Sequence, residues 1–137
     1  LNCAFDNGML SKKVIKITRA LHYAVIYNEK YIYLKQRTEN DIWKGLFEFP
    51  LDEYVDTDEK NPKHIPVWAK INANTLPFVY LQTLSHQYIK AYFYEVRCEQ
   101  LPAAPLGWLK VPKASLLEYA FPKIIRDYLA ERLNFLS

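Results

Sequence analysis

The sequence predicts an α+β domain, a mixed β-sheet flanked by helices, and three observations carry that expectation. Extended apolar segments recur through the first hundred residues. The spacing changes to helical periodicity after Pro122. Half of the 137 residues are hydrophobic, enough to fill one core in a chain of this length. Strands in the middle with helices after them give a layered domain.

Residues 1–15 are polar and poorly periodic, with Asn7-Gly8 as a turn signal. They read as a linker or the tail of an upstream module, which leaves 16–137 as the folded domain. From Ile17 to Tyr27 the residues Ile17, Leu21, Tyr23, Val25 and Tyr27 mark one strand face, and Thr18, His22 and Ala24 the other. Asn28-Glu29-Lys30 makes a short turn, and 31–37 returns as the second strand of a hairpin. The segment TENDIWKGLFEFP, 38–50, is a loop entering a short strand, interrupted by Gly45 and closed by Pro50. Residues 51–75 carry Pro62, Pro66 and an acidic run, with one short helix expected around Val67–Ile71.

A strand follows at 76–81, and a long one at 88–98 is apolar on both faces near its start, as in a strand covered on both sides. GWLKVP, 107–112, is a further short strand, and 112–119 forms one or two helical turns. Pro122 suits a first helical position. Behind it Ile124, Ile125, Tyr128, Leu129, Leu133 and Leu136 share one helix face, while Lys123, Arg126, Asp127 and Glu131 occupy the other.

The net charge of +3 is too small to argue for nucleic acid by itself. Lys12, Lys13, Lys16 and Arg19 form a basic run, and Asp52, Glu53, Asp56, Asp58 and Glu59 an acidic one; a solvated face is the plain meaning of either. Two cysteines, Cys3 and Cys98, make no disulfide framework, so a reducing, cytoplasmic setting fits. No stretch has the apolar length of a membrane span. His22, His64 and His86 lack partners at metal-ligand spacing. The three glycines form no phosphate loop. Ser85 and His86 are neighbours on extended backbone, which point opposite ways and make no nucleophilic pair.

One cluster remains. Thr83, Ser85, His86 and Gln87 gather at the mouth of an apolar run without a Gly, Asn or Pro to make the turn. Alone it would be a Ser/Thr-stabilised strand connection. Its surroundings change that reading. A hairpin followed by W-x-G-x-x-E-F-P, here Trp43, Gly45, Glu48, Phe49 and Pro50, resembles the first half of the Nudix fold. Active Nudix hydrolases continue with a glycine and a helix whose clustered carboxylates bind the metal ions that polarise a pyrophosphate. This sequence has LDEYVDTDEKNPKHIP instead, without glycine and with prolines where that helix would run.

A Nudix-like domain lacking the catalytic helix motif resembles the C-terminal domain of MutY-type A/G-specific adenine DNA glycosylases. DIWKGLFEFP (41–50), TLSHQ (83–87) and WLKVPKASLLEYAFPKIIRDYL (108–129) carry the resemblance in order. It implies an α/β/α Nudix-like sandwich that recognises 8-oxoguanine opposite adenine in double-stranded DNA during base-excision repair. It also implies an upstream catalytic domain with a 4Fe-4S cluster and a bacterial, nucleoid-associated setting. Cys3 matches the last cluster ligand of that upstream module, and 1–15 the transition out of it. The fragment itself is expected to carry no cofactor and no glycosylase activity.

By the same resemblance Thr83, Leu84, Ser85, His86 and Gln87 meet the lesion, with Leu84 at the position of the family aromatic. In 8-oxoguanine N7 becomes a donor and C8 gains a carbonyl acceptor, and a serine hydroxyl can serve both. A contact set of this kind discriminates by about 1–3 kcal/mol. Lys35, Arg37, Lys44 and Lys90 are candidate phosphate contacts. The alternative is a metal-dependent hydrolase of nucleoside diphosphate derivatives using Glu48, Glu53 and Asp56. A third reading is a docking domain for a repair partner, through the linker or the acidic run.

Overall fold

A computed structural model describes residues 17–56 and 76–136. Among them seven strands form one mixed sheet. These are β1 (Ile17–Tyr27), β2 (Tyr31–Gln36), β3 (Phe47–Glu48), β4 (Leu51–Asp56), β5 (Phe78–Thr83), β6 (Gln87–Arg97) and β7 (Trp108–Pro112). A 3-10 helix (Lys113–Glu118) and the helix α1 (Lys123–Leu136) follow. The expected helix at 67–71 lies outside the described residues, as do 1–15, His64 and the side chains of Leu133 and Leu136.

The pairing of β1 with β6 is parallel and runs the length of both strands, from Ile17 opposite Gln87 to Tyr27 opposite Arg97. Asn28 shapes the β1–β2 turn by accepting from the backbone N–H groups of Lys30 and Tyr31 at 2.9 and 2.7 Å. The hairpin is bridged at Tyr27–Ile32 and then splays. The segment 47–56 fills the gap: β3 pairs with β2 at Lys35–Glu48 and Gln36–Phe47, and β4 pairs with β1 from Tyr23–Leu51 to Thr18–Asp56. Between them the Pro50 carbonyl accepts from the Ala24 N–H at 2.9 Å. Proline has no N–H to give but keeps its acceptor, so it can close the junction. β7 extends the sheet beyond β2, and β5 extends it beyond β6.

The apolar alternation read in β1 is real, since Leu21, Tyr23, Val25 and Tyr27 join the main core. The opposite face is covered as well: Ala20, His22 and Ala24 are buried. His22 is thus a sheet histidine, stacked on Tyr92 at 4.4 Å between ring centroids and hydrogen-bonded through Nδ1 to the Tyr94 hydroxyl at 2.9 Å. Helix α1 lies on the other side of the sheet. Ile124, Ile125, Tyr128 and Leu129 are buried while Lys123, Arg126, Asp127 and Glu131 are exposed, as the helical spacing requires. The Pro122 carbonyl accepts the first helical bonds, from Ile125 and Arg126.

Phe93 is the hub of the core. Its ring stacks on Tyr128 at 4.1 Å and on Tyr23 at 5.2 Å, and meets Phe49 and Tyr80 edge-on. The Tyr128 hydroxyl donates to Glu95 Oε2 at 2.6 Å, and Arg132 grips the same carboxylate at 2.8 and 2.9 Å. Burial, then the bond to Glu95, holds the Tyr128 phenol well above its ordinary value. It is therefore a donor at any working pH.

Two substitutions separate packing from polar pinning. Phe93→Ala is expected to lower unfolding free energy by about 3–5 kcal/mol through the cavity it leaves. Tyr128→Phe, which removes one hydrogen bond to a charged group, should cost about 1.5–3 kcal/mol. Urea denaturation followed by tryptophan fluorescence measures both.

Candidate functional site

Two loops meet at the end of the sheet where β1 begins. The first spans residues 37–46. Its ends are joined by Arg37 N–H to the Leu46 carbonyl and Gly45 N–H to the Arg37 carbonyl, both at 2.9 Å. Gly45 has φ +87°, a left-handed conformation that side-chain-bearing residues rarely adopt. Asp41 shapes the middle by accepting from the Trp43 N–H at 2.9 Å.

Beneath Trp43 lies a buried charge network. Arg37 is 3% exposed; it donates to Glu48 Oε1 at 3.0 Å and to Asp41 Oδ2 at 2.6 Å. Glu48 is fully buried and faces the Tyr23 hydroxyl at 3.4 Å. The guanidinium carbons of Arg19 and Arg37 lie 5.6 and 5.8 Å from the Trp43 ring centre, within cation–π range. Burial would strip the Arg37 proton, but Glu48 and Asp41 outweigh it and hold that proton firmly. Burial pushes the Glu48 carboxyl up, and Arg37 only partly opposes the rise. For Asp41, burial is outweighed by the Trp43 N–H, Arg37 and Arg19, so its pKa falls below the ordinary value.

The second loop is the turn between β5 and β6. Leu84 N–H donates to the Gln87 carbonyl at 2.8 Å, leaving Ser85 and His86 as a two-residue tip. Thr83, Ser85 and His86 are exposed, Leu84 and Gln87 half-buried. Leu84 packs against the main core and anchors the turn from below. Arg19 joins the two loops: Nη1 reaches Gln87 Oε1 at 3.5 Å, and Nη2 lies 3.6 Å from Asp41.

The basic residues separate clearly. Lys44 is exposed and Lys35 half-buried. Lys90 is half-buried, its ammonium 5.6 Å from the Tyr92 ring centre. Arg37, read from the sequence as a phosphate contact, is instead committed inside the protein to Glu48 and Asp41. Its i,i+4 spacing to Asp41 was the signal for that ion pair, but only the β2–β3 pairing reveals Glu48 as its second partner. Arg19, which reasoning from the sequence placed in a basic run, is the strut between the loops.

Among the described residues no group of His, Cys, Asp or Glu is placed to hold a metal ion. Of the three acids the hydrolase alternative needs, Glu48 is bound to Arg37, while the side chains of Glu53 and Asp56 lie outside the described residues. A 4Fe-4S cluster does not fit this chain, which has two cysteines against the four ligands such a cluster takes.

Residues 22–131 match the model of the NUDIX domain family. The chain belongs to that family. Solved structures of the same fold include the C-terminal domain of mouse MUTYH, crystallised in complex with human PCNA. It shares 20% identity at a TM-score of 0.56, over 83% of this chain and 89% of that one. The MutT protein of Methanosarcina mazei Go1 aligns at 18% identity and TM-score 0.54, over 87% and 96%. The Caenorhabditis elegans Ap4A hydrolase (C. elegans) aligns at 12% and 0.51, over 90% and 100%. No curated protein matches the sequence closely enough to count as a relative. No helix among the described residues is long and apolar enough to cross a membrane.

The depressed Asp41 pKa gives a pH prediction with a definite sign. A carboxylate whose folded value is lowered contributes stability above its ordinary value of 3.8, and loses it as pH falls through the folded value. Asp41→Asn should therefore be less stable than wild type at pH 7, by about 1.5 kcal/mol for a charged hydrogen bond in a partly exposed site. The gap should close below the ordinary carboxylate range. Denaturation midpoints of both proteins between pH 7 and 3 check this.

Proposed function

We propose that this domain reads a damaged base, as the lesion-recognition module of an adenine DNA glycosylase acting on adenine opposite 8-oxoguanine. The observation that carries the reading is the Ser85–His86 tip. It is a short, solvent-facing turn closed by a backbone hydrogen bond, anchored by Leu84 and tethered through Gln87 to Arg19. A hydroxyl held there can accept from N7–H of 8-oxoguanine and donate to its C8 carbonyl oxygen. Guanine offers an acceptor at N7 and no oxygen at C8, so one half of the pairing is lost. On this reading Thr83 and Gln87 flank the hydroxyl and His86 meets the adjoining DNA backbone. Leu84 supports the turn from the core side.

The likeness to the mouse MUTYH domain, in its complex with human PCNA, supports a repair setting. On this reading the partners are double-stranded DNA carrying 8-oxoguanine and an upstream catalytic domain of the same protein. Cys3 would serve the 4Fe-4S cluster of that domain, and the glycosidic bond would be hydrolysed there. Lys35, Lys44 and Lys90 are the phosphate contacts retained, since Arg37 is withdrawn into the fold. A metal-dependent hydrolase using Glu48 would draw on a buried carboxylate already bound to Arg37.

The test joins this domain to its catalytic half and compares adenine removal opposite 8-oxoguanine and opposite guanine. Ser85→Ala should narrow that preference, by up to the about 1–3 kcal/mol of a good base contact, without lowering thermal stability. An unchanged ratio rejects Ser85 as the reader.

A further inference from the structure

Beside the tip, on the sheet face opposite α1, lies an open groove of about 280 Å³. Thr18, Leu81, Gln82, Thr83, Tyr88, Ile89 and Lys90 line it. The strand registers order this face into rows. Thr18, Tyr88 and Thr83 stand side by side across β1, β6 and β5, and Ala20, Lys90 and Leu81 form the next row. Of this lining, Thr83 belongs to the loop motif read from the sequence and Lys90 to the candidate phosphate contacts; the rest belongs to neither. Tyr88 is 45% exposed and Leu81 74%, whereas Ile89 and Ala91, which face α1 on the other side of the sheet, are fully buried.

We propose that this groove takes one unpaired nucleobase of a DNA strand, with Tyr88 as its stacking partner and Lys90 meeting a flanking phosphate. The inference rests on the reading that the Ser85–His86 tip meets DNA. The lining matches a nucleotide feature by feature. Flat apolar surface at Tyr88 and Leu81 suits the faces of a base, and stacking on an aromatic ring tolerates any sequence. The hydroxyls of Thr18 and Thr83 flank the tyrosine, where they can meet the polar edge of a base. Lys90 is the charged member of the lining, which gives the groove one positive charge and favours an anion.

The geometry also places the groove within reach of the tip. Tyr88 is three residues beyond Ser85, at most about 10 Å along the chain, and Lys90 about 7 Å further on the same face of the strand. A strand whose lesion sits at the tip can therefore lay a neighbouring nucleotide along β6. The salt-sensitive part of that contact belongs to Lys90 and the salt-insensitive part to Tyr88.

Fluorescence anisotropy with a labelled, undamaged single-stranded oligothymidylate at low salt tests this on the full chain. The wild type should bind, Tyr88→Phe should bind as well, and Tyr88→Ala should lose about 5- to 150-fold, the range of one base stack. Lys90→Gln should shallow the slope of log affinity against log salt by about 0.7. Melting curves of the three variants confirm that these surface changes leave the fold in place. Absence of wild-type binding, equal binding by Tyr88→Ala, or competition by a free thymidine monophosphate as strong as by the oligonucleotide would each overturn the proposal. The undamaged strand keeps the outcome separate from lesion reading. If Tyr88→Ala changes nothing while Ser85→Ala still narrows the lesion preference, the groove fails and the tip stands. If strand binding depends on Tyr88 while Ser85→Ala leaves the preference intact, the groove stands and the tip fails.

Discussion

The parallel pairing of β1 with β6 is the constraint on which the rest of the structure depends. Parallel neighbours cannot be joined by a tight turn, so the 59 residues between Tyr27 and Gln87 all belong to the connection. That connection supplies the strands β2 to β5 and the loop holding Trp43. Because the register runs from Ile17 opposite Gln87, the start of β1 is fixed beside the start of β6. Arg19 then stands where it can reach both Asp41 in one loop and Gln87 in the other. A one-residue slip in this register would turn every side chain of β6 to the wrong face. It would bury Tyr88 and Lys90 under α1 and take Ile89 and Phe93 out of the main core.

The W-x-G-x-x-E-F-P segment owes its composition to a buried charge rather than to surface chemistry. Trp43 roofs two guanidinium groups, Gly45 makes the left-handed turn, Glu48 neutralises Arg37, Phe49 enters the aromatic core, and Pro50 closes the splayed hairpin. Each residue type follows from one local demand. Buried ion pairs contribute little net stability against a well-packed apolar core, and removing one partner is what costs. The pair ties the loop to β3, and Asp41 and Arg19 link it onward to the hairpin tip.

Much of this was legible in the sequence where a single element decides the outcome. Alternation marked β1, the turn at 28–30 marked its return as β2, and helical spacing marked α1. The apolar start of 88–98 marked a strand inside the sheet, although Tyr88 is 45% exposed rather than covered. The expected strand at 76–81 stands at Phe78–Thr83, and the helical turns after Pro112 form a 3-10 helix. What could not be read depends on partners distant in sequence. Residues 51–56 look polar and featureless, and they become β4 because β1 offers an unpaired edge beyond the splay. Arg37 looks like a surface cation until Glu48 is brought against it. Thr18, Tyr88 and Leu81 belong to strands far apart in the chain, so the groove they share exists only once the register is known.

The central proposal is that the Ser85–His86 tip, not a carboxylate cluster, is the part of this domain that meets its target. Backbone amide shifts of the isotopically labelled chain, recorded as a duplex with 8-oxoguanine opposite adenine is added, address it residue by residue. The expected result is a set of lesion-dependent shifts confined to Leu84–Gln87, absent when guanine replaces the lesion. Identical shifts with both duplexes, or lesion-dependent shifts at Glu48 and its neighbours with none at the tip, would contradict it.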